Sequence, residues 1–214
     1  MNENVRVSGL ALIAGSLGVV VTLILHPTER GLFDPAQVES VTRTMIAVHS
    51  LALVSLPLWF IGACGLSRRV GSDSWLGELG FVIYGFALAA MMNAVVIDGL
   101  ATPGLARAIV NATPDKVVGW KIAFNHNVLL DQAFMSVFLI ASSVAIGLWS
   151  LAIVRRGALT RPLGICGCLL GAGTVIGKLT GWLEQYPHIF VMVLIGQAIW
   201  FLSAGVQLCR QRAR

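Results

Sequence analysis

The stretch "FNHNVLLDQAFMSVFLIASSVAIGLWSLAIVRR", residues 124–156, decides the fold class. From Val128 to Ile153 it is mostly apolar and longer than the roughly 20 residues that a membrane helix needs. It ends on the pair Arg155-Arg156. Its first part, however, holds Asn125, His126, Asn127, Asp131 and Gln132. Either this is the wet end of a membrane helix, or it contributes to a site.

The whole chain reads the same way. Of its 214 residues, 57% are apolar and only 12% charged, with a mean hydropathy of +0.82. Soluble domains run nearer a quarter charged. One soluble core cannot hide this much apolar surface, so lipid is the solvent for much of it. The net charge of +5 sits in short basic clusters between apolar runs. That pattern suits orientation signals and argues against a nucleic-acid partner.

Five further apolar runs accompany the first, which gives spans at about 8–26, 44–66, 76–98, 128–153, 162–183 and 189–208. The breaks "HPTERG", "SRRVGSDS", "TPG", "RRGALTRP" and "EQYPH" carry turn or charge signals. The first run is long for a signal peptide and has no clean small-x-small cleavage site after it, so it reads as a retained span. The expected fold is an all-α, polytopic integral membrane bundle of six transmembrane helices, with residues 1–214 as one membrane domain.

Six spans place Arg6, Arg68, Arg69, Arg155, Arg156, Arg161, Arg210, Arg212 and Arg214 on one side. The other side holds Arg30, Arg43, Arg107, Lys116 and Lys121, mixed with acids over longer segments. The positive-inside rule then puts both termini in the cytoplasm. Five or seven spans would scatter the arginines. The expected location is a cell membrane, the bacterial inner membrane, with the bilayer as the first partner. The segment 99–127 becomes the long outer loop, able to lie on the surface as short amphipathic helices. The glycosylation pattern at Asn111-Ala112-Thr113 is weakened by Pro114 directly after it.

Cys64, Cys166, Cys168 and Cys209 all fall near cytoplasmic span ends, which argues against structural disulfides. Cys166 and Cys168 point to different faces of a helix and suit packing better than metal binding. Span five carries glycines at 167 and 171 and again at 173, 177 and 181. Such spacing lets a second helix approach closely, within the chain or in a homo-oligomer.

Sorting polar residues by depth produces a belt near the outer side. His26 ends span one and His49 lies about a turn into span two. Asn93 and Asp98 lie late in span three, and His126 and Asp131 open span four. Lys178 and Gln197 belong to spans five and six, with Glu184 and His188 between them. Ionisable groups at membrane depth are costly, so they face the bundle interior and pair. His49 and Lys178 stand inside apolar runs and need partners most. The expected centre is His49, Asp131 and Lys178, ringed by His26, Asn93, Asp98, His126 and Gln197.

Three functions fit this belt. His49, His126, His26 and Asp131 form a candidate set for a transition metal, or histidines among them for a haem iron. The belt also suits a small polar ligand carried across the membrane with protons, or a scaffold held together by polar contacts. The bland readings stand beside them: boundary histidines need no partner, Asn125 and Asn127 can cap a helix, and Asp98-Gly99 can end one. No His-Glu-x-x-His, phosphate loop or hydrolase serine motif is present. The residues do not separate enzyme, carrier and scaffold.

Overall fold

The computed structural model describes residues 3–27, 30–71, 75–185 and 187–210. Its elements are α1 (Glu3–Leu25), α2 (Val38–Gly71), α3 (Trp75–Val96), a π-helical segment (Ile97–Ala101), α4 (Thr102–Val110), α5 (Pro114–Arg156), α6 (Arg161–Leu179), α7 (Trp182–Gln185) and α8 (Pro187–Arg210). No strand occurs among the described residues. Six helical stretches are long and apolar enough to cross a membrane: α1, α2, α3 through α4, α5, α6 and α8.

Two stretches depart from the expected boundaries for a common reason. The segment 99–127, expected as a loop, is helical almost throughout. Thr113 is extended, Pro114 takes the first helical position, and Asp115 follows in the first turn, where its charge suits the helix dipole. The helix then runs unbroken to Gly157, which stops it at φ 67°. At 1.5 Å per residue, α5 is about 64 Å long, twice the roughly 30 Å of hydrocarbon. α2 likewise begins at Val38. Both helices start in amphipathic sequence that hydropathy does not register.

α3 also continues where "TPG" suggested a stop. Pro103 has no N–H to offer the carbonyl four residues back. The chain answers by widening one turn: the Thr102 N–H donates to the Ile97 carbonyl, five residues earlier. The helix resumes as α4 and packs on α2 and α5.

The bundle is held by small residues and aromatic groups. α1 crosses α8 where Gly9 faces Gly205; a Cβ on either would stand 2.7 Å from the other's carbonyl oxygen. On α6, Gly164, Gly167 and Gly171 press against Ser143, Ser150 and Val154 of α5. Those glycines are used within the chain, while Gly173 faces open space. Trp59, Tyr84, Trp149 and Phe201 fill the middle of the core. The Trp149 indole donates to the Gly77 carbonyl at 3.1 Å and Trp200 to that of Leu163 at 3.1 Å. At the far end, Leu32, Val38, Met45 and Ala106 make a second small core with Phe124 and Val110.

Candidate functional site

Beneath that second core, three side chains converge. α1 stops at Leu25 because Pro27 disfavours helical backbone at the residue before it. His26 therefore swings out at the helix end. His49 projects from α2 and is 4% exposed. Asp98 sits in the π-helical turn. One ligand atom from each of the three lies within 4.8 Å of the others. No other group of three or more His, Cys, Asp or Glu side chains does so among the described residues.

The hydrogen bonds fix the tautomers. The Nδ1–H of His49 donates to the Met45 carbonyl at 2.7 Å, and that of His26 to the Pro27 carbonyl at 3.0 Å. A carbonyl only accepts, so each Nδ1 carries the proton. Both Nε2 atoms then point at the same oxygen, Oδ2 of Asp98, at 2.9 Å from His49 and 3.3 Å from His26. The two rings meet edge to face, with centroids 5.0 Å apart at 71°. Neutral imidazoles would aim two lone pairs at a carboxylate. The arrangement calls for positive charge at that point, either protons on Nε2 or a metal ion.

Asp131 is the nearby second carboxylate. The charges of Asp98, His49 and His26 act on it. Asn127, one turn earlier on α5, buries an amide nitrogen that has no partner among the described residues. A second carboxylate beside Asp98 raises the demand for a cation. His26 lies just past the end of its span, and the hydrogen bond to Asp98 holds its imidazole above the ordinary range.

The other expected members lie elsewhere. His126 is exposed on α5 and outside the cluster. Asn93 is exposed and donates to the Ala89 carbonyl of its own helix. Gln197 is fully buried between Ser142 and Ser143, donating to Ser143 at 3.0 Å and accepting from Ser142 at 3.1 Å. Lys178 is in the last turn of α6. The side chains of Glu184 and His188 lie outside the described ones, as do Arg212 and Arg214.

Gly99 is a site residue that the sequence alone does not mark. A Cβ there would stand 2.1 Å from His49 Cβ, so only glycine admits this approach of the π turn to α2. The available signal was an Asp-Gly pair followed by Thr-Pro-Gly, read as a helix end. The cysteines take no part: Cys64, Cys166, Cys168 and Cys209 are all free.

No protein-family model matches the chain, and no curated protein or solved structure proves similar to it.

Proposed function

We propose that His26, His49 and Asp98 bind one transition-metal ion at the outer face of a bacterial inner membrane, with Asp131 beside it. The observation that supports this is the pair of Nδ1–H bonds to backbone carbonyls. They free both Nε2 atoms toward one carboxylate, which is how proteins orient metal-binding histidines. The spacing suits it too. Zinc holds nitrogen and oxygen ligands at about 2.1 Å, so the edge of its tetrahedron is about 3.4 Å. Nε2–Oδ2 distances of 2.9 and 3.3 Å need to open by only a few tenths.

Two imidazoles and a carboxylate suit zinc or iron(II) and leave a coordination position for water or substrate. An ion held there can polarise a carbonyl or phosphoryl group or activate water. Donors converging on one point fit a single ion better than a haem, whose plane must separate its axial ligands. Depth supports the outer assignment: His49 is 19 residues, or about 28 Å, from Arg68 along α2, nearly a full hydrocarbon thickness. The arginine clusters put that end and both termini in the cytoplasm. Any pairing of two copies through α6 would use the open face at Gly173.

The proton is the other cation that satisfies the cluster, and proton-coupled carriage is the second reading. Elemental analysis of protein purified without chelator separates them. About one zinc or iron per chain, lost in Asp98→Asn and in His49→Ala, supports the metal centre. Metal-free protein that takes up no zinc or iron(II) in titration would sink it and leave the carrier.

A further inference from the structure

A second site lies further out, beyond the histidine cluster. Between the 30–37 segment, α4 and the start of α5 runs an open groove of about 540 Å³, a volume within the range of small-molecule sites. Phe33 and Phe124 meet edge to face at its wall, centroids 5.0 Å apart, and Ile109, Val110 and Val117 line the rest. Polar groups come from one face of α5, where Val117, Lys121, Phe124 and Asn125 follow at helical spacing.

The charges around the mouth are unequal. Glu39 is occupied by Arg43 and Arg107, each at 2.9 Å. Asp34 accepts from the Ala36 N–H and the Gln37 amide. Lys121 makes no ion pair among the described residues, and it lies beside apolar walls with the Asn125 amide one turn on. Lys121 is the one charged side chain lining the trough among the described residues, and both oxygens of the still anionic Asp34 are taken up by its neighbours, so the trough is complementary to a molecule with one tail and one negative head.

Depth decides the source. Phe124 is 31 residues from Arg155 along α5, about 46 Å, whereas a whole bilayer with its headgroups is about 40–45 Å thick. The groove therefore opens at the headgroup surface or just above it. The tails of a resident phospholipid lie well below. We propose that this groove binds a monomeric long-chain fatty acid, its tail against Phe33, Val117 and Phe124 and its carboxylate on Lys121 and Asn125. The site is independent of the metal centre.

The test is photolabelling of the full chain in phosphatidylcholine nanodiscs with a diazirine-bearing palmitate analogue, labelled residues being mapped by mass spectrometry. Saturable labelling is expected within residues 109–125, displaced by palmitate and much more weakly by hexadecanol. Loss of a charge-assisted hydrogen bond weakens binding about tenfold or more, so Lys121→Gln should raise the half-displacing palmitate concentration by that factor. Lys121→Arg should restore it, and Val117→Trp should block labelling by filling the trough. Lys121 is exposed, so its variants keep the fold and their metal content. Labelling that hexadecanol displaces as well as palmitate, or that Lys121→Gln leaves unchanged, overturns the proposal.

Discussion

Gly99 lies so close against His49 that a single added methyl group would stand 2.1 Å from the histidine Cβ. The contact joins the π-helical turn to α2, and through it Asp98 reaches both imidazoles. Gly99→Ala should therefore act on the site as well as on the fold. Forcing a methyl group into a packed contact costs about 1–3 kcal/mol. The expected outcome is a lower melting temperature together with at least about tenfold weaker zinc binding, read by titration. Gly104, in α4, has open space where a Cβ would go. Gly104→Ala should leave zinc binding unchanged and, as a helix-favouring change, leave stability equal or slightly higher. Equal zinc affinity in Gly99→Ala and the native chain would remove Gly99 from the site.

The raised pKa of His26 fixes the direction of a pH dependence. A metal takes the Nε2 lone pair, and a proton competes for it. Since Asp98 holds the imidazole above its ordinary value of about 6.5, competition begins above that value and deepens as pH falls. Zinc affinity should thus decline steadily from about pH 8 to pH 6. The metal-free protein should trend the other way. A raised folded-state pKa stabilises fully below the unfolded value, and the benefit is lost as pH rises through the folded one. Zinc titrations and melting curves with chelator, both at about pH 6, 7 and 8, check the two slopes. Zinc affinity that is flat across this range refutes ligation by His26.

The six helices long and apolar enough to span a membrane were legible because hydrophobic length is a sum over some twenty residues and tolerates local noise. The arginine clusters gave an independent check on the same count. His49 was legible for a related reason: an imidazole inside an apolar run must find a partner on another helix. Which partner was not legible. Asp131 and Lys178 stood at the expected centre with Asp98 around them, and depth says nothing about which helices adjoin. α3 lies against α2 and α5, so Asp98 reaches His49, while Lys178 belongs to α6 on the far side of α5. The π turn was hidden as well, because Asp-Gly-Leu-Ala-Thr-Pro-Gly carries the letters of a helix end. Residues 114–127 read as surface because their apolar residues are too few for a span, yet they continue α5.

Gln197 separates scaffold from site. It is fully buried, and its amide ties α8 to Ser142 and Ser143 of α5. Such contacts between membrane helices contribute about 0.5–2 kcal/mol. Gln197→Leu strands the Ser143 hydroxyl and should lower thermal stability by an amount in that range. Zinc affinity should stay within about twofold of the native chain, since changes at separate sites with no shared partners add independently. A large loss of zinc binding in a folded Gln197→Leu protein would mean that the belt expected from the sequence works as one unit after all.

The sidedness proposed for the site rests on the arginines and can be read directly. In a chain whose four cysteines are replaced by alanine, a single cysteine is placed at Val118, 65% exposed on the early part of α5, or at Thr160, exposed between α5 and α6. About 46 Å of helix separates Phe124 from Arg155, so an α5 that crosses a bilayer of about 40–45 Å would put the two positions on opposite sides. An impermeant maleimide on intact cells should label Val118→Cys, and Thr160→Cys only after permeabilisation. Reversed labelling would put the histidine cluster in the cytoplasm, where it would draw metal from a buffered, reducing pool. Labelling of both positions from outside breaks the six-span scheme.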